Sequence, residues 1–236
     1  SIKTDEWVAD LKLVRNLENV FDHDLVEKFI HVKQSNKDRL RMLVAKVTDS
    51  KVILDKNALF DVMVKRIHEY KRQLLNLFGT IHTYLQIKKM SPAQRMKLVP
   101  RVKIFAGKAA IGYAMAKGII KLINSVADVI NNDLDVGGLL KVVFLPNYSV
   151  SLAEIIIPAN DINEQISTAG YEASGTSCMK FCMNGGLIVG TWDGANVEIA
   201  EEVGLDNIFM FGAKANEVAG IRANPKPLSE GLAEVI

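Results

Sequence analysis

From residue 58 onward, short aliphatic and β-branched runs alternate with segments of helical periodicity, and no other feature constrains the fold as strongly. The runs lie at 58–67, 101–105, 141–145, 187–190 and 207–211. Helical spacing marks 72–89, 110–130, 151–157, 176–183, 195–203 and 214–222. Strands that take turns with helices predict βαβ units, and hence a parallel sheet covered on both faces. The run Val142-Val143-Phe144-Leu145 is apolar throughout, as a strand buried on both sides must be. Turn-forming residues predict loops at 91–100, 131–138 and 222–229. A chain of 236 residues can bury one full core, so a single α/β domain over 1–236 is expected.

Residues 1–55 read as a mainly helical lead-in. Trp7, Leu11, Val14 and Leu17 recur at helical spacing. Asp24, three residues before Glu27, has the form of a capping box that opens a long amphipathic helix. Leu25, Phe29, Val32, Leu40 and Leu43 form its apolar side. A net charge of +2 gives no general drive toward nucleic acid or an anionic membrane. Aromatics at 7% and mixed charge elsewhere argue further against a nucleic-acid surface. No apolar run approaches the ~18 residues needed to span a bilayer. The chain opens without Met and without a signal-peptide pattern, as a domain excised from a longer protein would. Cys178 and Cys182 are too few for a structural zinc site and have no histidine nearby, so reduced thiols and no metal are expected.

In parallel sheets, ligands bind beyond the carboxyl ends of the strands. Three loops there carry chemistry. The first, after the 58–67 run, concentrates Lys65, Arg66, His68, Lys71 and Arg72 beside Tyr70. It reads either as a polyanion site or as a solvated charged helix face. The second holds Tyr148, followed by a capping box at Ser151 and Glu154. The third is Glu172-Ala-Ser-Gly-Thr-Ser-Cys-Met-Lys180. There Gly175, Thr176 and Ser177 open a helix whose N-terminal amides and dipole suit a phosphate. Lys180, four residues after Thr176, stands on the same helix face. The segment is either a plain helix start with a surface lysine or a grip on both ends of a phosphate-bearing carbonyl cofactor. Pyridoxal phosphate has that shape. Gly107 to Gly112 lacks full nucleotide-loop spacing, and Asp193-Gly-Ala-Asn196 reads as a turn and helix cap.

Five stretches together resemble the carboxyl-terminal catalytic domain of the glycogen and α-glucan phosphorylases. They are VKRIHEYKRQLLN at 64–76, AGKAAIGYAMAKGIIKLI at 106–123, VSLAEIIIPANDI at 150–162, QISTAGYEASGTSCMKFCMNG at 165–185 and GTWDGANVEIAEEVG at 190–204. The likeness covers nearly the whole chain and weakens at both ends. It implies a Rossmann-like three-layer parallel sheet, the second lobe of a two-lobed GT-B-type glycosyltransferase fold. It also implies an enzyme that cleaves terminal α-1,4 bonds of a glucan with inorganic phosphate to give glucose 1-phosphate.

By the same resemblance, Lys180 carries pyridoxal 5'-phosphate as a Schiff base. Lys65, Thr176 and Ser177 hold the cofactor phosphate, and Tyr148 lies beside the cofactor. Arg66 and Lys71 hold the substrate phosphate, so Lys65, Arg66 and Lys71 form the catalytic cationic shell. Glu172, Ala173, Ser174 and Gly175 bind the glucosyl hydroxyls, and Tyr113 stands near the mouth of the site. Implied partners are the amino-terminal lobe, which this chain lacks, and a second copy of the full-length protein, with no nucleic acid and no membrane. The cytoplasm is the expected location, with a plastid as the alternative. Cys178 departs from the family's usual asparagine. Because half the site belongs to the absent lobe, the fragment alone is expected to be inactive. Two other readings compete: a non-catalytic sugar- or partner-binding module, and a cofactor-free nucleotide-sugar glycosyltransferase lobe.

Overall fold

The computed structural model describes residues 5–225. Its strands are β1 (Leu59–Val64), β2 (Arg101–Gly107), β3 (Leu140–Pro146), β4 (Ile162–Gln165), β5 (Leu187–Thr191) and β6 (Phe209–Phe211). All pair in parallel in one sheet, in the order β3-β2-β1-β4-β5-β6. The order reverses between β1 and β4, the crevice where open α/β sheets bind ligands. The helices are α1 (Glu6–Ala9), α2 (His23–Val47), α3 (Gln73–Lys89), α4 (Pro92–Arg95), α5 (Ala114–Asn132), α6 (Val150–Ala159), α7 (Ser177–Met183), α8 (Ala195–Val203) and α9 (Ala215–Ala223).

Side-chain alternation along the strands splits the core into two layers. One face sets Phe60, Val62, Val64, Val102 and Ile104 against Leu40 and Val44 of α2, Ile156 and Ile157 of α6, and Phe181 of α7. The opposite face sets Met63, Phe105, Leu140 and Val142 against Leu77 and Ile87 of α3 and the stripe Ala116, Ile119, Ile123, Ala127 and Ile130 of α5. Each fully buried large side chain contributes about 1.5–3 kcal/mol, so these layers hold the three-layer α/β fold together. A polar cluster lies within the second face. Lys103 Nζ stands 2.6 Å from Asp61 Oδ2 and 2.9 Å from Glu164 Oε1. At the outer edge of β3, the Asn131 side chain donates to Val142 O (2.8 Å) and accepts from Val142 N (2.9 Å). The amide thus takes the place of a neighbouring strand and blunts an exposed edge.

Several local expectations give way to the structure. β4, with the sequence INEQ, matches none of the five predicted runs, because its residues are polar and its burial comes from position in mid-sheet. β1 stops at Val64, short of residue 67, and β6 is only three residues long. α6 is capped by Ser149, whose hydroxyl accepts from Leu152 N, and not by Ser151. α2 is capped by Asp22, whose carboxylate accepts from Leu25 N at 2.8 Å, and not by Asp24. In each case the true cap has extended backbone while the expected one is already helical. In the lead-in, α1 is one turn long and a 3₁₀ helix follows at Leu11–Val20. Its apolar residues face outward, with Trp7 40% and Leu11 68% exposed, as is Val32 of α2 at 58%. Of the loop expected at 222–229, residues 226–229 lie outside the described residues.

Candidate active site

The site grows from the carboxyl ends of β1 and β4. The β1 ladder continues one residue, with Lys65 N donating to Ala106 O at 3.0 Å, before the chain turns away. Lys65 then reaches across the crevice, and its Nζ donates to Gln165 Oε1 at the end of β4 (2.7 Å). Among the described residues, no carboxylate lies within ion-pairing distance of this ammonium. Burial pushes its pKa down to about 8, nearby Lys71 adds to the fall, and Glu172 and Cys178 oppose it. A half-buried cation lacking an anion partner attracts an anionic ligand.

Residues 69–71 form one 3₁₀ turn, closed by Arg72 in the left-handed region (φ 61°). The turn separates the basic residues by role. Lys71 Nζ pairs with Glu172 Oε2 at 2.6 Å, and the Tyr70 hydroxyl donates to the same oxygen at 3.2 Å. Burial opposes the Lys71 charge, but its bonds to Glu172 and Tyr70 prevail and raise its pKa. Arg72 donates to Ile166 O (2.7 Å) and Ser167 O (3.2 Å), so it pins the loop after β4 and not a ligand. His68 packs at the surface tilted against Tyr70 and edge-on to Tyr113, and the Tyr113 hydroxyl donates to Glu69 at 2.6 Å.

The loop carrying Glu172 is held by a residue that motif reading treated as a turn. Asp193, 6% exposed, accepts from the Ser167 hydroxyl (2.6 Å), Gly170 N (2.8 Å) and Glu172 N (2.9 Å). It caps no helix. Gly194 occupies that position, at φ 52°, and a Cβ there would stand 2.3 Å from Ser174 O. Only glycine permits this approach, which brings the loop close enough for Ala195 N to donate to Ser174 O at 2.7 Å. An acidic residue before Gly-Ala-Asn has the ordinary look of a turn, and nothing local reveals its distant partners.

Lys65, Lys71, Gln165, Glu172, Ser174, Gly175, Thr176, Ser177, Cys178 and Asp193 line one cavity of about 190 Å³. Thr176 makes no capping bond to α7, so its hydroxyl is left for other partners. Ala173 is exposed and does not line the cavity. Arg66, Tyr148 and Lys180 are brought together in a second cavity of about 370 Å³, with Lys108, Ser149 and Ala153. Residues one or two positions apart thus serve different spaces: Lys65 the first and Arg66 the second, Cys178 the first and Lys180 the second. Both cysteines are free thiols, and burial raises the pKa of each. Among the described residues, no group of three or more His, Cys, Asp or Glu is placed to hold a metal, and no helix is long and apolar enough to cross a membrane.

Sheet order and cavities define a doubly wound, Rossmann-like α/β domain with an anion-seeking polar site at the topological switch point. Comparison with known proteins carries the assignment further. The chain belongs to the carbohydrate phosphorylase family, whose model matches residues 1–233. It is 55% identical over 94% of its length to glycogen phosphorylase 2 of Dictyostelium discoideum, covering 22% of that protein. It is 53% identical over 94% of its length to the α-glucan phosphorylase H isozyme of Solanum tuberosum, covering 26%. It is 52% identical over 99% of its length to glycogen phosphorylase of Saccharomyces cerevisiae, covering 28%. The chain therefore spans about a quarter of the length of these relatives.

Proposed function

We propose that this chain is the cofactor- and phosphate-binding lobe of a longer α-1,4-glucan phosphorylase with a two-lobed GT-B-type fold. That enzyme transfers a terminal glucosyl unit of an α-glucan to inorganic phosphate and releases glucose 1-phosphate. The observation that carries this reading is the half-buried Lys65 ammonium. Among the described residues it is matched only by a neutral amide, and it opens into a cavity rimmed by Lys71 and Glu172.

The donor set matches pyridoxal 5'-phosphate in kind, with the two ends of such a molecule drawing on the two cavities. Lys180 supplies a solvent-accessible primary amine beside the half-buried Tyr148 ring, and Lys65, Thr176 and Ser177 supply a cation and hydroxyls for a phosphate. In this assignment Lys180 holds the aldehyde end and Lys65, Thr176 and Ser177 hold the phosphate end. When bound, the cofactor supplies a phosphate that exchanges a proton with the substrate phosphate. Two phosphates side by side repel, so the site needs a dense positive shell, and Arg66 and Lys71 complete it around the substrate phosphate. Arginine offers paired donors to that phosphate. A phosphate drawn to Lys71 competes with Glu172, whose carboxylate, still holding the Tyr70 hydroxyl, then has more acceptor capacity for glucosyl hydroxyls. Ser174 and Gly175 line the same rim, with Ala173 beside them. Asp193, the other carboxylate in the cavity, is engaged by three donors, which leaves no pair of free carboxyls for glycosidase chemistry.

The remainder of the enzyme supplies the opposite wall, so the isolated lobe is expected to be inactive. The full-length protein is expected to be a cytoplasmic homodimer. The test is reconstitution with pyridoxal 5'-phosphate, borohydride reduction and peptide mapping, alongside glucan phosphorolysis by full-length and isolated chains. The expected result is a pyridoxyl label on Lys180, with glucose 1-phosphate released by the full-length chain only. A label confined to another lysine, or no chromophore after reconstitution, rejects the reading.

A further inference from the structure

Gln165 closes β4, is 8% exposed, and joins three parts of the first cavity. Its Oε1 accepts from Lys65 Nζ at 2.7 Å. Its Nε2 donates to Asn163 Oδ1 (3.1 Å) and Ser177 Oγ (3.3 Å). Asn163, fully buried two residues earlier on the same strand face, donates in turn to Leu187 O at 2.9 Å, at the start of β5. Asn196 of α8 donates to Gln165 O at 2.8 Å and so fixes the backbone as well. This amide chain leads from the strand ladder to the ammonium, and every link in it is neutral.

We propose that Gln165 is a positioning residue that sets the anion affinity of the site, holding Lys65 and Ser177 in place without cancelling the lysine charge. The assignment rests on the phosphate-binding reading above. A carboxylate in its place would fit the same space and hold the same lysine, but as an ion pair that competes with an incoming phosphate. The charged and titratable groups facing Lys65 are Lys71 on the 3₁₀ turn, Glu172 on the loop, Cys178 on α7 and Glu164 on β4, with Asp193 across the cavity. Only a change at Gln165 adds charge at hydrogen-bonding distance while leaving these in place.

The experiment uses the full-length chain stripped of cofactor and titrated with pyridoxal 5'-phosphate or with pyridoxal, which lacks the phosphate. The ratio of the two affinities reads the phosphate contact. In the parent protein this ratio should fall as pH rises through about 8, where Lys65 loses its proton. Gln165→Glu should lower the ratio about tenfold at neutral pH and move its alkaline fall to higher pH, because a carboxylate favours the charged lysine. Gln165→Met, which removes the tether without adding charge, should lower the ratio with no such upward move. An unchanged ratio in both variants overturns the proposal. So does an equal loss for both ligands together with a lowered melting temperature and no difference in pH profile, since that marks a purely structural role. If the parent protein does not prefer pyridoxal 5'-phosphate to pyridoxal, the functional reading itself fails, and this assignment with it.

Discussion

Two lysines illustrate how one side chain serves opposite ends. Lys103 on β2 is 5% exposed and lies between Asp61 on adjacent β1 and Glu164 on β4 beyond it, at 2.6 and 2.9 Å. Lys65, just beyond β1, has the amide of Gln165 at 2.7 Å. The first is neutralised by carboxylates and cross-braces three strands under α3. The second keeps its attraction for an anion because its partner carries no charge. Burial raises the pKa of Glu164 while Lys103 opposes the rise, so removing that lysine would leave Glu164 uncompensated and Asp61 with only the partly exposed Arg101 at 3.5 Å. The partner, more than the depth of burial, separates a structural lysine from a binding one.

Substitution of each lysine by methionine is the sharpest way to break this comparison. Lys103→Met should cost about 3–5 kcal/mol in urea-induced unfolding, as expected when one member of a buried ionic cluster is removed. Lys65→Met should leave the unfolding midpoint nearly in place and weaken pyridoxal 5'-phosphate binding by about a hundredfold, a loss equivalent to roughly 2.7 kcal/mol. Should Lys65→Met unfold the protein while Lys103→Met does not, the two roles are reversed.

Asp193 extends the comparison to a carboxylate that positions a loop. Gly170 N and Glu172 N donate to different oxygens of Asp193, so Asp193→Asn turns an amide donor toward one of these two N–H groups, and it should weaken glucose binding to the full-length chain about tenfold by calorimetry. Phosphate affinity should change far less, and an equal loss for both ligands would show that the loop does not act separately from the cationic site. The smallest effect is expected at Ser149, whose capping bond to Leu152 N is long at 3.4 Å. Ser149→Ala should cost about 0.5 kcal/mol, the low end for helix caps, and a loss of several kcal/mol would reveal a role beyond capping.

Much of this was legible from residue order. Apolar runs such as Val142 to Leu145 disclosed the parallel sheet, and the 165–185 motif named Lys180, Thr176 and Glu172 as candidates, of which Thr176 and Glu172 line the first cavity and Lys180 the second. β4 escaped because its hydrophobic signal is only Ile162, followed by Asn163, Glu164 and Gln165. Those polar side chains are tolerated in mid-sheet because each has a partner that is distant in sequence or on the neighbouring strand. Asp193 reads as an ordinary turn residue for a related reason, since its three donors lie 21 to 26 residues away.

The sequence by itself determined most element types, β4 excepted, and the chemical inventory of the site, because hydrophobic period and residue type are local properties of the chain. Only the tertiary structure decided which charges are cancelled and which are left open. That outcome depends on distances across the strand order β1-β4-β5, and Coulombic and hydrogen-bonding partners separated by a hundred residues leave no local trace.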